Sequence, residues 1–283
     1  MQLIPHDGGA KTLLENPVSG HGVGLAWLGQ AGFAVRFSNY RLLIDPYLSD
    51  YLPKKYAGEQ FPHTRMMPPP VSVGDIRNLD LILCSHRHGD HTDPGSLPTL
   101  ARNNPRCRFI VPRAELAPVM QIGLEESRLI PANAGDRLIL DKSVEIHVIP
   151  SAHETLKTNA AGEHHFLGFI LRFDGITVYH SGDCVVYNGL AEQLRKWRID
   201  LALLPVNGRS ELLSSRGVAG NMTFDEACDM CLVAGIRLMI PHHFGMFDFN
   251  TVDPVGLREQ VARLGTGQFQ GVLPEVNDYY TLL

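Results

Sequence analysis

Six residues, His86-Arg87-His88-Gly89-Asp90-His91, put three imidazoles and a carboxylate directly after a short apolar run, Leu81 to Cys84. Few folds accommodate such a run. Buried without an ion, each of these groups needs a hydrogen-bond partner of its own, whereas one or two divalent cations satisfy them together. The apolar run reads as a buried strand, so the chain turns at its carboxyl end and brings His86, His88, Asp90 and His91 near one point. The hexapeptide is therefore read as a metal site at the end of a sheet strand.

Composition limits the setting. The 283 residues are 44% hydrophobic, ample for the core of a single enzyme-sized domain spanning 1–283. Lys and Arg number 25 against 30 Asp and Glu, and no stretch concentrates basic residues, which argues against nucleic acid as a partner. No apolar run approaches the roughly 20 residues of a membrane span, and no basic segment followed by an apolar stretch opens the chain. Five scattered cysteines do not make a disulfide framework. These features predict a cytoplasmic protein with a small-molecule substrate and no membrane partner; homo-oligomers are common among such enzymes, and the oligomeric state stays open.

Along the chain, residues 1–22 show no clear periodicity and read as a lead-in. Val23 to Leu28, Phe33 to Phe37 and Leu42 to Ile44 form an opening meander with turns at Gly29 to Gly32 and Ser38-Asn39. Residues 46–73 hold Pro53, Pro62 and Pro68 to Pro70, which predicts a long active-site loop without a helix or central strand. Asp93-Pro94 reads as an N-cap and first helical residue of a helix through about Arg102. Later strands are expected at 109–111, 129–130, 138–140, 144–149, 166–173, 176–179, 201–204 and 238–240. Helices are expected at 113–121, 190–197, 224–234 and 254–264. Asp174-Gly175 marks a hairpin, and Thr223 with Glu226 a capping box. A meander followed by strand–helix alternation, twice over, predicts an α/β protein with two mixed sheets packed together and helices outside.

Four predicted strands end in candidate ligands. Leu81 to Cys84 leads to His86, Ile146 to Ile149 to His153, Ile176 to Tyr179 to Asp183, and Leu238 to Ile240 to His242-His243. Strand ends on one sheet edge hold ligands rigidly. The set suits two ions, with His86, His88 and His153 on one, Asp90, His91 and His243 on the other, and Asp183 bridging.

These residues, in the pattern His-x-His-x-Asp-His followed by a later His, an Asp and a last His, make the chain resemble the metallo-β-lactamase superfamily. The resemblance covers about Val23 to His243 and implies an αββα sandwich with the site at one edge. Trp27-Leu28-Gly29, Tyr179 to Asp183, Asn221-Met222-Thr223, Ile240 to His243 and Asp253-Pro254 resemble the branch that contains L-ascorbate-6-phosphate lactonase. Asp183 in place of Cys argues against a β-lactamase of the commonest type. The absence of a Gly-His-Thr pattern after His153 argues against the thioester branch, and the acidic balance argues against nucleases. The spacing Pro-x-His followed by Phe-Gly-x-Phe favours His243 over His242 as the last ligand, with His242 behind it.

The expected activity is lactone opening on a small, phosphorylated sugar acid such as L-ascorbate 6-phosphate. Two divalent ions, Zn or Mn, would generate the hydroxide nucleophile. Asp90 is expected both to ligate and to orient water or carry a proton. The alternative is a phosphodiesterase acting on a small or lipid-like substrate, and a further class is a binding module that uses the fold without catalysis. Arg209, Arg65 and His165 are candidates for substrate contact, each with a solvated or structural role as the other reading, and His164 is placed alike. His180 is expected to be structural. Cys228 and Cys231 lie on the apolar stripe of a helix and are expected in the core.

Overall fold

The computed structural model describes residues 1–18, 20–140, 143–264 and 269–283. Two mixed β-sheets face each other. The first has eight strands in the order Leu3–Asp7, Asp278–Leu282, Val23–Gly29, Gly32–Phe37, Tyr40–Ile44, Leu81–Leu83, Arg108–Pro112 and Leu129–Ala132. Its first five are antiparallel, and from Tyr40–Ile44 onward neighbours run parallel. The second has seven, in the order Gln270–Gly271, Leu238–His242, Leu201–Pro205, Ile176–His180, Leu167–Phe173, Val144–Pro150 and Arg137–Ile139.

Side-chain alternation explains the layering. Val23, Leu25 and Trp27, with Phe33, Val35 and Phe37, point toward the second sheet and meet Phe169, Leu171 and Val178 in one core. Ala26, Leu28, Ala34, Leu43 and Ile82 point the other way and pack under Leu13, Leu14, Leu97 and Leu100 of the covering helices. Strand Val23–Gly29 is thus buried at every residue, as a strand covered on both faces must be. Helix Phe224–Ala234 covers the far side of the second sheet, burying Ala227, Cys228 and Cys231, so these two cysteines are free core residues. The α/β sandwich with two mixed sheets and outer helices is the fold expected from the sequence. Among the described residues no helix is long and apolar enough to cross a membrane.

Local signals mostly became local structure. Asp174 (φ 41°) and Gly175 (φ 97°) form the two-residue hairpin turn, and Thr223 and Glu226 exchange both capping-box bonds. Three segments differ from expectation. The lead-in contains strand Leu3–Asp7, which adds to the edge strand Asp278–Leu282, and helix Gly9–Glu15, which buries Ala10, Leu13 and Leu14. That i, i+3, i+4 spacing was present in the sequence, but seven residues are too few for a period to stand out. The Pro-rich segment holds a short helix, Tyr51–Lys55, because Pro53 falls in a first turn whose N–H groups have no helical partner anyway. The helix after the hexapeptide starts at Leu97 rather than Pro94. The Asp93 carboxylate is instead held by Ser49 Oγ (2.8 Å), Ser49 N (3.1 Å) and Ser96 Oγ (2.5 Å), which ties the Pro-rich loop to the base of the hexapeptide.

Candidate metal centre

The four strand ends converge. Leu81–Leu83 delivers the hexapeptide from the first sheet, while Val144–Pro150, Ile176–His180 and Leu238–His242 deliver His153, Asp183 and His243 from the second. Ligand atoms of His86, His88 and His153 lie within 4.8 Å of one another, as do those of His86, His91 and Asp183, and those of Asp90, His91 and His243. Asp183 stands between the groups. Its Oδ1 is 3.3 Å from both His91 Nε2 and His243 Nε2, and its Oδ2 is 3.7 Å from His153 Nε2.

The donor set fits a cation better than it fits itself. His86 Nε2, His91 Nε2 and Asp183 Oδ1 are buried without a hydrogen-bond partner. Native proteins rarely leave such atoms unpaired, and nitrogen and carboxylate donors at this spacing are what a divalent ion requires. Tautomers follow from the surrounding network. His91 Nδ1 donates to Asp45 Oδ2 (2.7 Å), and His86 Nδ1 meets Ser85 Oγ (3.0 Å), whose hydroxyl donates to Asp45 Oδ2 (2.6 Å). With Nδ1 engaged, both rings turn Nε2 inward.

Electrostatics divides the imidazoles. Burial holds His86 well below the ordinary histidine value and His153 below it; burial, then neighbouring His153, pushes His88 down to about 4. His91 behaves oppositely: burial pulls it down, but Asp183, Asp90 and Asp45 together hold it well above the usual range. Burial would raise Asp90 and Asp183, yet the adjacent His91 and His243 keep both below the ordinary carboxylate value.

The two adjacent histidines separate by strand alternation. His242 ends its strand with its ring stacked on His180 (5.1 Å between centroids) and edge-on to Phe33. His243, turned by a left-handed backbone (φ 62°), faces Asp183. His180 donates from Nε2 to Ala31 O (2.8 Å) and accepts from Gly182 N at Nδ1 (3.0 Å), a structural arrangement.

The substrate candidates have partners elsewhere. Arg209 makes a bidentate pair with Glu226 (2.6 and 2.7 Å), and Arg65 binds the carbonyls of Met67, Tyr47 and Ser49. His165 Nδ1 meets Glu115 Oε1 (2.5 Å), the other oxygen of that carboxylate holds Arg87 (3.4 Å), and His164 is tied to Asn133. Two polar residues escaped sequence reasoning. Asp45 is the anchor of His91 and also accepts from Ser85 N (2.7 Å). Gln30, at the tip of the first hairpin, donates from Nε2 to Asp90 Oδ2 (2.8 Å), while its backbone carbonyl accepts from His243 N (2.9 Å). Asp45 directly follows a predicted strand and Gln30 sits in a turn, so placement at strand ends was the only available signal. Phe166 was not singled out either; its ring lies 5.1–6.0 Å from those of His86, His88 and His153.

A two-sheet sandwich with this ligand set at one edge defines a class of proteins, and sequence comparison gives the same class. The family model described as "Beta-lactamase superfamily domain" matches residues 40–244, and the chain belongs to that superfamily. It is 26% identical over 234 residues to a protein of Caldivirga maquilingensis named "UPF0173 metal-dependent hydrolase", covering 83% of this chain and 87% of the relative. A protein of the same name from Saccharolobus solfataricus is 27% identical over 233 residues, covering 81% and 87%. Among solved structures, a metallo hydrolase from Ignicoccus hospitalis superposes with a TM-score of 0.66 at 21% identity over 93% of this chain and 99% of that one. An isothiocyanate hydrolase from Delia radicum gut bacteria gives 0.73 at 15% identity over 90% and 97%. At these identities the two structures speak for the fold alone.

Proposed function

We propose that the protein is a metal-dependent hydrolase that opens lactones or cleaves related carboxylic esters of small molecules. The observation that carries this reading is the pair of three-residue donor groups around Asp183, with buried donor atoms left unpaired. His86, His88 and His153 would hold one divalent ion, and Asp90, His91 and His243 a second, with Asp183 shared. The imidazole-rich set suits Zn, and the carboxylates are compatible with Mn. Such ions, when bound, supply Lewis acidity and bring the pKa of coordinated water toward neutrality. The names of the two relatives, both metal-dependent hydrolases, support hydrolysis in general.

The chain's own residues then position and move protons. Gln30 fixes Asp90 through Oδ2, and Oδ1 makes no hydrogen bond among the described residues, which supports a role for Asp90 in taking a proton from the attacking water and returning it to the leaving oxygen. Asp45 keeps the His91 ring in one tautomer. A phosphorylated sugar-acid lactone remains the specific form of this reading suggested by the sequence. It requires Arg209 or Arg65 to exchange its present partner for phosphate.

The test is elemental analysis of protein purified without added metal, with the same sample assayed on simple lactones, phosphorylated sugar lactones, aryl esters and a chromogenic phosphodiester. About two ions per chain and lactone opening, both reduced in His88→Ala, are expected. Phosphodiester cleavage faster than any lactone opening would replace this reading with a phosphodiesterase. Full activity after complete metal removal would overturn it.

A further inference from the structure

Three parallel strands of the second sheet end at the metal centre, and only the outer two supply donors. In the order Leu238–His242, Leu201–Pro205, Ile176–His180, the flanking strands lead to His243 and Asp183. The middle strand is level with both, since Leu203 pairs with His180 and Pro205 with His242. Its next residues, Val206 and Asn207, therefore leave the sheet between the turns that carry Asp183 and His243, and Val206 N donates to His242 O (3.1 Å). Asn207 takes no part in the donor groups.

A cavity of about 210 Å³ opens where Asn207 emerges. Asn207, Ser210, Asn250 and Thr251 give it polar walls, and Leu213 and Phe249 apolar ones. Each ligand-bearing segment of the second sheet is tied to this frame. Thr251 Oγ1 accepts from Gly245 N (2.7 Å), just past His243, and Met222 N donates to Cys184 O (2.9 Å), next to Asp183. Glu154, next to His153 and held in a left-handed backbone (φ 64°), accepts at Oε1 from Ser214 Oγ (2.5 Å) and Gly220 N (3.2 Å). The cavity is thus preformed and fixed relative to the donors.

Its chemistry is that of uncharged donors. Asn221 Nδ2 donates to Asn207 Oδ1 (3.0 Å), and Asn207 Nδ2 donates to Asn250 Oδ1 (2.8 Å). This relay ends on Asn250 Nδ2, which makes no hydrogen bond among the described residues. Ser210 Oγ accepts from Leu213 N (3.2 Å) and keeps its own proton free to donate. Arg209, the lining cation, is neutralised by its bidentate pair with Glu226 and also donates to Asn221 O (3.2 Å). The volume falls short of the roughly 300 Å³ at which pockets begin to hold a whole ligand, so one part of a substrate fits here.

We propose that this cavity is a recognition subsite beside the metal centre, and that it seats a neutral group bearing several hydroxyls. The Asn207 and Asn250 amides and the Ser210 hydroxyl hold that group. The assignment rests on the hydrolase reading above and adds the substrate class: polyhydroxylated, sugar-like lactones or esters whose unreacting part lies here.

Glucono-δ-lactone and δ-valerolactone share the reacting ring and differ in hydroxyls. In the metal-loaded enzyme, kcat/KM above the uncatalysed background should favour the hydroxylated lactone. The ratio of the two values should fall about tenfold, mostly through KM, in Asn250→Leu, which removes the amide, and in Leu213→Phe, which fills the cavity and leaves the amide relay in place. Metal content per chain should stay unchanged in both variants. No preference in the wild type, or an unchanged ratio in either folded variant, would overturn the assignment. Faster opening of 6-phosphogluconolactone, lost in Arg209→Ala, would place an anion here and overturn it too.

Binding can be read without turnover. By calorimetry on the zinc-loaded protein, gluconate should bind about tenfold more tightly than 5-hydroxypentanoate, and Leu213→Phe should close the gap. Equal affinities in the wild type, or a gap that Leu213→Phe leaves intact, would sink the subsite. If neither lactone is opened but the gluconate preference is present and lost in the variant, the hydrolase reading fails and the subsite stands. Lactones opened with no regard to their hydroxyls would leave the hydrolase reading and remove the subsite.

Discussion

Around the shared Asp183 lie two donor groups of different chemistry. His86, His88 and His153 are three imidazoles that burial holds neutral and against which Phe166 packs. Asp90, His91 and His243 bring a carboxylate and a histidine gripped by a second carboxylate, Asp45. The first group can receive a cation without giving up a proton. In the second, the carboxylates of Asp183, Asp90 and Asp45 raise His91 well above the usual histidine range despite burial, so an ion there would compete with a proton. If both groups bind ions, they would be linked to pH differently, and only the second contains Asp90, the residue proposed to move protons.

The largest effect is expected where the groups meet. Asp183→Asn removes the carboxylate from both, and kcat should fall by about 10²–10³-fold with metal content lost from both groups, measured by steady-state rates and elemental analysis. Single-group changes should separate them. His88→Ala and Asp90→Ala should each leave about one ion per chain, but only Asp90→Ala should also change the shape of the pH–rate profile. If both variants lose both ions, the groups bind as one unit and the comparison collapses.

Asp45→Asn should act on the second group alone. Without the carboxylate behind His91, affinity for one ion should drop about 10–100-fold while the other is retained, as a two-site titration monitored by calorimetry would show. Acid should destabilise the metal-free protein. His88 falls to about 4 when folded, against 6.5 unfolded, so as pH drops the unfolded chain takes the proton first. Stability present above about pH 6.5 is then lost as pH falls toward about 4. His86, His153, His180 and His242, all lowered by burial, act in the same direction, and His91 alone among these acts oppositely. The thermal midpoint measured across that range should decline.

The smallest effect is expected at Arg209→Ala, which belongs to neither donor group. Its pair with Glu226 is more than a third exposed on both sides, so the loss should be at most about 1 kcal/mol in chemical denaturation. KM for unphosphorylated lactones should not change. A large rise in KM confined to phosphorylated lactones would show that Arg209 leaves Glu226 to hold phosphate.

Much of the scaffold was legible because its signals are local. The Asp174-Gly175 turn, the Thr223–Glu226 cap and the alternation in Val23 to Leu28 depend on neighbours a few residues away. The hexapeptide belongs with them, since its density of ligands has no other inexpensive explanation. Helix Gly9–Glu15 was missed because it is short, and the start of helix Leu97–Asn103 was misplaced because Asp93 serves a contact with Ser49 that lies 44 residues distant.

The sequence by itself determined the donor types, their arrival at strand ends and the two-sheet frame that brings those ends together, because backbone periodicity and side-chain polarity act along the chain. Only the tertiary structure decided which atoms face inward. Asp45 grips His91 across 46 positions, and Gln30 reaches Asp90 across 60 and His243 across 213. Ring packing joins residues 56–63 to 247–249. Such pairings leave no local pattern: a single buried Asp or Gln is costly until a partner from another segment satisfies it, and the folded chain alone supplies that partner.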